Sequence, residues 1–267
     1  MKDAVTSLNK PSEDLVRKDI AGTVCTLTLN RPGQYNALSE EMLEALSTAL
    51  SDIAENEDIR VIVLTGEGKA FCPGHDLKQM RANHDESYHR ELFAKCSDVM
   101  QSIVHLPQPV IAKVQGIATA AGCQLVATCD LAIAADDVRF AVSGITIGLF
   151  CSTPGVALAR NVHRKHAMEM LLTGEFIDAA TAERYGLINR AVPRDELDTA
   201  VDNLASVIAA RPTETVRLGK RLFYSQVEKN LASAYDEAAE AMTCNLMQAA
   251  TLEGVDAFIE KRKPRWR

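Results

Sequence analysis

A chain of 267 residues, 47% hydrophobic and 24% charged, carries enough apolar side chain to bury a sizeable core. Its formal net charge of −7 argues against a nucleic acid or an anionic membrane surface as the main partner. Seven cysteines, an odd number with no Cys-x-x-Cys pair, suggest neither a disulfide framework nor a zinc site, and no apolar run approaches the ~20 residues of a membrane span.

Residues 1–20 are polar and read as a loosely attached segment. With no apolar leader and an acid at Asp3, they point to the reducing cytoplasm. Cys25, Leu27 and Leu29 alternate with threonines in a half-buried strand that ends at the turn-rich Asn30 to Gly33. Ser39 is an N-cap, with Glu40 and Glu41 in the following first turn, and Met42, Leu43, Leu46, Leu50 and Ile53 recur at helical spacing. A strand over Val61 to Thr65 leads into the loop Ala70 to Leu77. Leu92, Phe93, Cys96, Val99, Met100 and Ile103 then form another amphipathic face, closed by Pro107 and Pro109.

The strand Pro109 to Gly116 carries one charge, Lys113, and leads directly into the small residues Ala118-Thr-Ala-Ala-Gly-Cys-Gln124 and a helix. A helix start without large side chains leaves its first N–H groups open to a polarised oxygen. Two such loops, this one and Ala70 to Leu77, could supply the two backbone donors of an oxyanion hole. Further strands are expected at Leu131 to Ala134 and Leu187 to Val192, with only helix pattern from Arg194 onward. The expected partition is a polar segment (1–20), an α/β core (21–193) and a helical region (194–267).

Six motifs in order carry a resemblance to the enoyl-CoA hydratase/isomerase (crotonase) family: Asn30 to Leu38, Ala70 to Leu77, Ala118 to Gln124, Met170 to Gly174, Ala182 to Ile188 and Ala257 to Pro264. The resemblance spans roughly residues 20 to 265, about the length of a single domain. It implies a spiral of repeated β-β-α units whose C-terminal helices pack against neighbouring subunits in a homotrimer or dimer of trimers. The substrate it implies is an acyl-CoA thioester, with coenzyme A part of the substrate and no permanently bound cofactor.

Position by position, the family's oxyanion donors fall on the N–H groups of His75 and Ala121. Its two hydratase glutamates fall on Gln124 and Gly144, neither an acid or base near neutral pH. Each missing proton-transfer group is worth about 10²–10⁴-fold, so ordinary hydratase activity is doubtful. Gln124 could orient a water or the thioester, or serve as a core polar residue. His75 could add a titrating ring or be a loop histidine. The same resemblance puts substrate contacts at Arg31, Tyr35, Ala70, Cys72, Asp76, Leu77, Gly144, Phe150 and Cys151, with the adenine end of CoA near Phe258 and Lys261 of an adjacent chain. Lys69, Lys78 and the basic tail Lys261 to Arg267 are further candidates for the CoA phosphates. Cys151 reads as pocket lining rather than a nucleophile, and His163 with His166 as a solvated face rather than a metal site.

Three outcomes stay open: a lyase or isomerase working through a thioester enolate, a malonyl-type decarboxylase suggested by the Gly74-His75-Asp76 order, and a non-catalytic acyl-CoA-binding protein.

Overall fold

The computed structural model describes residues 14–266; residues 1–13 of the polar opening segment, and Arg267 of the basic tail, lie outside them. The rest of that segment is more ordered than expected. Val16–Ala21 (β1) pairs antiparallel with Val24–Leu29 (β2) across a turn at Gly22, whose φ of 61° suits glycine. Arg17, Lys18 and Asp19 mask its strand pattern, and such charges suit a sheet edge because they discourage further pairing.

The helix Glu40–Ala54 (α1) begins where Ser39 accepts the Met42 N–H at 3.3 Å, and it buries the five apolar residues that recur at helical spacing. Next come Val61–Gly66 (β3), Ala70–Cys72 (β4), Leu77–Ala82 (α2) and the long Glu86–His105 (α3). Val110–Val114 (β5) does not run directly into a helix. Gly116 turns a corner first, because a Cβ there would lie 2.3 Å from the Lys69 carbonyl oxygen, and a short strand Ile117–Thr119 (β6) intervenes before Ala121–Thr128 (α4). Leu131–Ala135 (β7), Arg139–Ala141 (β8), Ser152–Asn161 (α5), Arg164–Thr173 (α6), Ile177–Asp178 (β9) and Ala179–Tyr185 (α7) follow. The last strand, Arg190–Val192 (β10), is shorter than the expected Leu187 to Val192, whose first two residues are instead buried beneath it.

Two sheets result, in the orders β1-β2-β3-β5-β7-β10 and β4-β6-β8-β9, parallel except at β1/β2 and β8/β9. Each pass β3 to β4, β5 to β6 and β7 to β8 lays one strand in each sheet before a helix returns. This is a spiral of β-β-α units, and the adjacent β4 and β6 bring the loops after them to one edge.

From Leu197 the described chain is helical: Leu197–Ala209 (α8), Thr213–Val227 (α9), Leu231–Leu246 (α10) and Ala249–Ile259 (α11). α8 packs on the larger sheet, whereas α9 to α11 pack on one another. Lys220 fastens α9 to the core: its Nζ donates to the carbonyls of Ile103 (2.8 Å) and Gln108 (2.9 Å) and to Asp130 Oδ2 (2.8 Å). Asp130 also accepts the Val110 N–H at 2.6 Å and the Tyr224 hydroxyl at 2.9 Å. Burial pulls the Lys220 pKa down, and the Asp130 carboxylate opposes that pull.

Candidate active site

The loop after β4 is held by backbone pairing to Leu38. The Leu38 N–H donates to the Gly74 carbonyl at 2.8 Å, and the Asp76 N–H donates to the Leu38 carbonyl at 3.2 Å. In this parallel bridge the residue between, His75, turns its N–H the other way. The loop after β6 is pinned by the Ala120 N–H, which donates to the Ala141 carbonyl at 2.9 Å. Ala120 sits at φ 48°, ψ −120°, a conformation that costs a residue with a Cβ about 1–3 kcal/mol and marks a constrained site. Immediately after it, Ala121 opens α4 without a side-chain cap. Neither the His75 nor the Ala121 N–H has a protein acceptor among the described residues.

The two loops touch. Gly74 has φ 102°, and a Cβ there would stand 2.9 Å from the Ala120 Cβ and 3.1 Å from the Ala121 nitrogen. Gly122 is pressed harder still, since a Cβ would sit 1.9 Å from the Cys72 carbonyl oxygen. Glycine at both positions is what lets the helix start lie against β4. Two unpaired N–H groups on touching loops, one at a helix N-terminus, can stabilise developing negative charge on an oxygen.

A family model for enoyl-CoA hydratase/isomerase matches residues 19–267. The chain belongs to the enoyl-CoA hydratase/isomerase family. It is 47% identical over 240 residues to the human enoyl-CoA hydratase domain-containing protein 3, mitochondrial, covering 90% of this chain and 79% of that protein. The rat protein of the same name matches equally, at 47% over 240 residues, covering 90% of this chain and 80% of its own. Among solved structures, an enoyl-CoA hydratase from Mycobacterium smegmatis superposes with a TM-score of 0.94 at 57% identity, covering 95% of this chain and 99% of that one. The human domain-containing protein 3 superposes at 0.92 and 44% identity, covering 94% and 100%. The expected cytoplasmic location does not stand: these curated human and rat relatives are named as mitochondrial, and polarity of an opening segment is a weak guide to destination.

Within this crotonase-family chain the two glutamate positions are unlike. Gln124 is buried, and its Oε1 makes no hydrogen bond. Helical side chains lean towards the N-terminus, so an amide one turn into α4 leans over the Ala120 and Ala121 end of the helix. Gly144 is closed. A Cβ there would lie 2.3 Å from the Leu149 carbonyl oxygen and 2.8 Å from Cys151 Sγ, so space excludes a side chain and no positive φ is involved. The loop folds back on it, with the Gly144 N–H donating to Cys151 Sγ at 3.3 Å and the Leu149 N–H donating to the Gly144 carbonyl at 3.0 Å. Gly144 therefore presents no side chain to a substrate. Cys151 is buried, its thiol pushed up by that burial, which fits lining rather than nucleophile.

His75 lies with both ring nitrogens buried and unbonded. Burial holds its pKa below 6.5 against the opposing influence of the nearby Leu38 carbonyl, so the ring is neutral at neutral pH. Asp76 contributes structure: Oδ1 accepts the N–H groups of Lys78 (3.0 Å) and Gln79 (3.2 Å) and so caps α2, while Oδ2 accepts from Arg31 at 2.9 Å. Arg31 is thus engaged with the loop. The Ala70 carbonyl accepts from Asn36 (2.8 Å) and Gln115 (2.9 Å), and Cys72 is wholly buried with its thiol pushed up to about 12 by burial. These two build the wall behind the loop. Leu77, Phe150 and Tyr35 are exposed, Tyr35 in a left-handed turn. Phe258 and Lys261 stand exposed at the end of α11, with no contact that joins them to His75 among the described residues.

Three contributors escape sequence reading. Asn36 is wholly buried at φ 65°, accepts the Arg31 N–H at 2.9 Å and donates to Ala70, so it clamps the first motif onto β4; asparagine in a left-handed turn is its only local signal. His89 and Phe93, one turn apart on α3, reach the His75 ring. Phe93 lies edge-on to His75 at 5.5 Å and stacks on His89 at 6.2 Å. Away from the site, His166 stacks on Tyr185 at 3.7 Å, and among the described residues no His, Cys, Asp and Glu cluster could hold a metal. A cleft of about 580 Å³ between Gly22, Glu57, Asp58, Arg60, Glu214 and Arg217 contains none of the site residues.

Proposed function

We propose that this protein binds an acyl-CoA thioester and stabilises the enolate formed from it, the N–H groups of His75 and Ala121 holding the thioester oxygen. The observation carrying this reading is the contact of the Gly74 loop with the start of α4, where both N–H groups lack protein acceptors. A donor of this kind is worth about 2.7–4 kcal/mol in the transition state. Full-rate hydration is not part of the reading, because Gln124 does not ionise and Gly144 has no room for a carboxylate. Enolate chemistry that needs no glutamate pair, including loss of CO2 from a malonyl-type thioester, fits the same two donors. The closed Gly144 also favours a second reading, an acyl-CoA-binding protein without turnover.

The assembly in which it works is a homotrimer or a dimer of trimers. Leu231, Tyr235, Met242, Met247, Phe258 and Ile259 leave a broad apolar surface exposed on α10 and α11, which association would cover. Phe258 and Lys261 then meet the adenine and phosphates of CoA bound by a neighbouring copy.

The test is a turnover screen with crotonyl-, malonyl- and 3-hydroxyacyl-CoA, with melting temperature recorded for each. At about 100 times its dissociation constant a ligand adds ~2.7 kcal/mol of apparent stability. Gly74→Val, whose branched side chain is driven into Ala121, should abolish that gain. No melting shift with any acyl-CoA would refute the reading, and a shift without turnover would select the binding protein.

A further inference from the structure

The wall facing the His75 and Ala121 N–H groups is polar where a hydrocarbon acyl chain would call for apolar groups. His75 Nδ1 and Nε2, His89 Nδ1 and Gln124 Oε1 are all buried and all without a hydrogen-bond partner. Buried polar atoms are paired in the great majority of cases, so four unpaired ones around one site require a cause. They belong together spatially. Phe93 is flanked by the two histidines, edge-on to His75 and stacked on His89, while α3, which carries Phe93 and His89, packs against α4, which carries Gln124. A neutral imidazole offers one donor and one acceptor, and a carboxamide oxygen accepts twice, so the set can both give and take hydrogen bonds.

We infer that the acyl group taken by this site carries an oxygen function close to the thioester, a hydroxyl, keto or carboxylate group, bound by His75, His89 and Gln124. His89 is the specificity-determining member that the oxyanion hole does not require. The inference rests on the acyl-CoA reading, but it can fail while that reading survives. An oxygenated acyl group would pair atoms that a saturated chain leaves desolvated and unbonded. A site built around such pairing discriminates strongly against the analogue that lacks the oxygen.

The experiment measures dissociation constants of butyryl-, 3-hydroxybutyryl-, acetoacetyl- and malonyl-CoA by calorimetry on the wild type, His89→Phe and His89→Gln. In the wild type at least one oxygenated thioester should bind about tenfold or more tightly than butyryl-CoA, the equivalent of one paired buried group. His89→Phe keeps an aromatic ring against Phe93 and removes the nitrogens, so that preference should fall towards unity. His89→Gln restores a hydrogen-bonding group and should recover part of it. Unliganded melting curves confirm that each variant is folded. Butyryl-CoA binding as tightly as every oxygenated thioester overturns the inference and leaves the acyl-CoA reading intact. A preference unchanged in His89→Phe overturns the assignment to His89. Absence of binding by all four compounds overturns both.

Discussion

Arg31 donates to Asp76 Oδ2 at 2.9 Å while the other oxygen of that carboxylate caps α2, so one side chain fixes both ends of the segment that carries His75. Burial raises the Asp76 pKa, but the Gln79 and Lys78 N–H groups and Arg31 outweigh it and hold the carboxyl below 3.8. Its stabilisation is therefore present above that value and is lost as pH falls through the lower folded pKa.

Asp76→Ala should cost about 1–3 kcal/mol, combining a lost cap with an unpaired, partly buried guanidinium. Chemical denaturation measures the loss. Acyl-CoA affinity should fall in parallel, because the His75 N–H is no longer held; an unchanged affinity would free the loop geometry from dependence on Asp76.

At the glutamate positions the two repairs should differ. Wild-type hydration of crotonyl-CoA should be slower than that of an ordinary hydratase by about 10²–10⁴-fold for each missing group. Gln124→Glu should fold and raise the rate. Gly144→Glu should unfold or distort the 144–151 loop, whose Leu149 carbonyl occupies the space of its Cβ. Stopped assays with melting curves check both, and a stable, faster Gly144→Glu enzyme would contradict the steric account.

His75 gives stability a pH dependence of definite sign. Its folded pKa is depressed by burial below 6.5, so the unfolded chain takes up the proton first as pH falls. Its contribution is complete above about 6.5, declines by at most about 1.4 kcal/mol per pH unit below that, and levels off beneath the folded pKa. His75→Phe should flatten this part of the stability curve. Denaturation midpoints between pH 4 and 8 are the readout, and superimposable slopes for the two proteins would rule it out.

Lys220→Met leaves Asp130 buried without its ammonium partner and should cost about 3–5 kcal/mol. Hydrogen exchange should then show α9 opening before the sheets. Adding Asp130→Asn should recover part of the loss, since the uncompensated charge is gone.

Local pattern in the sequence determined the strands, the capped α1, the helical C-terminal third and the two small-residue loops, because period, capping and residue size act over a few positions. It also showed that Gln124 and Gly144 cannot transfer protons. Only the tertiary structure decided why Gly144 is empty, with a carbonyl seven-tenths of the way around its own loop blocking a Cβ, a contact between residues that no period links. The same holds for Arg31, which charge alone offered to a phosphate and packing gives to Asp76. His89 and Phe93 read as one more amphipathic turn until the fold lays α3 beside the His75 loop. Long-range placement selects among the roles that a side chain's chemistry leaves open, and desolvation then sets which polar atoms are left unpaired.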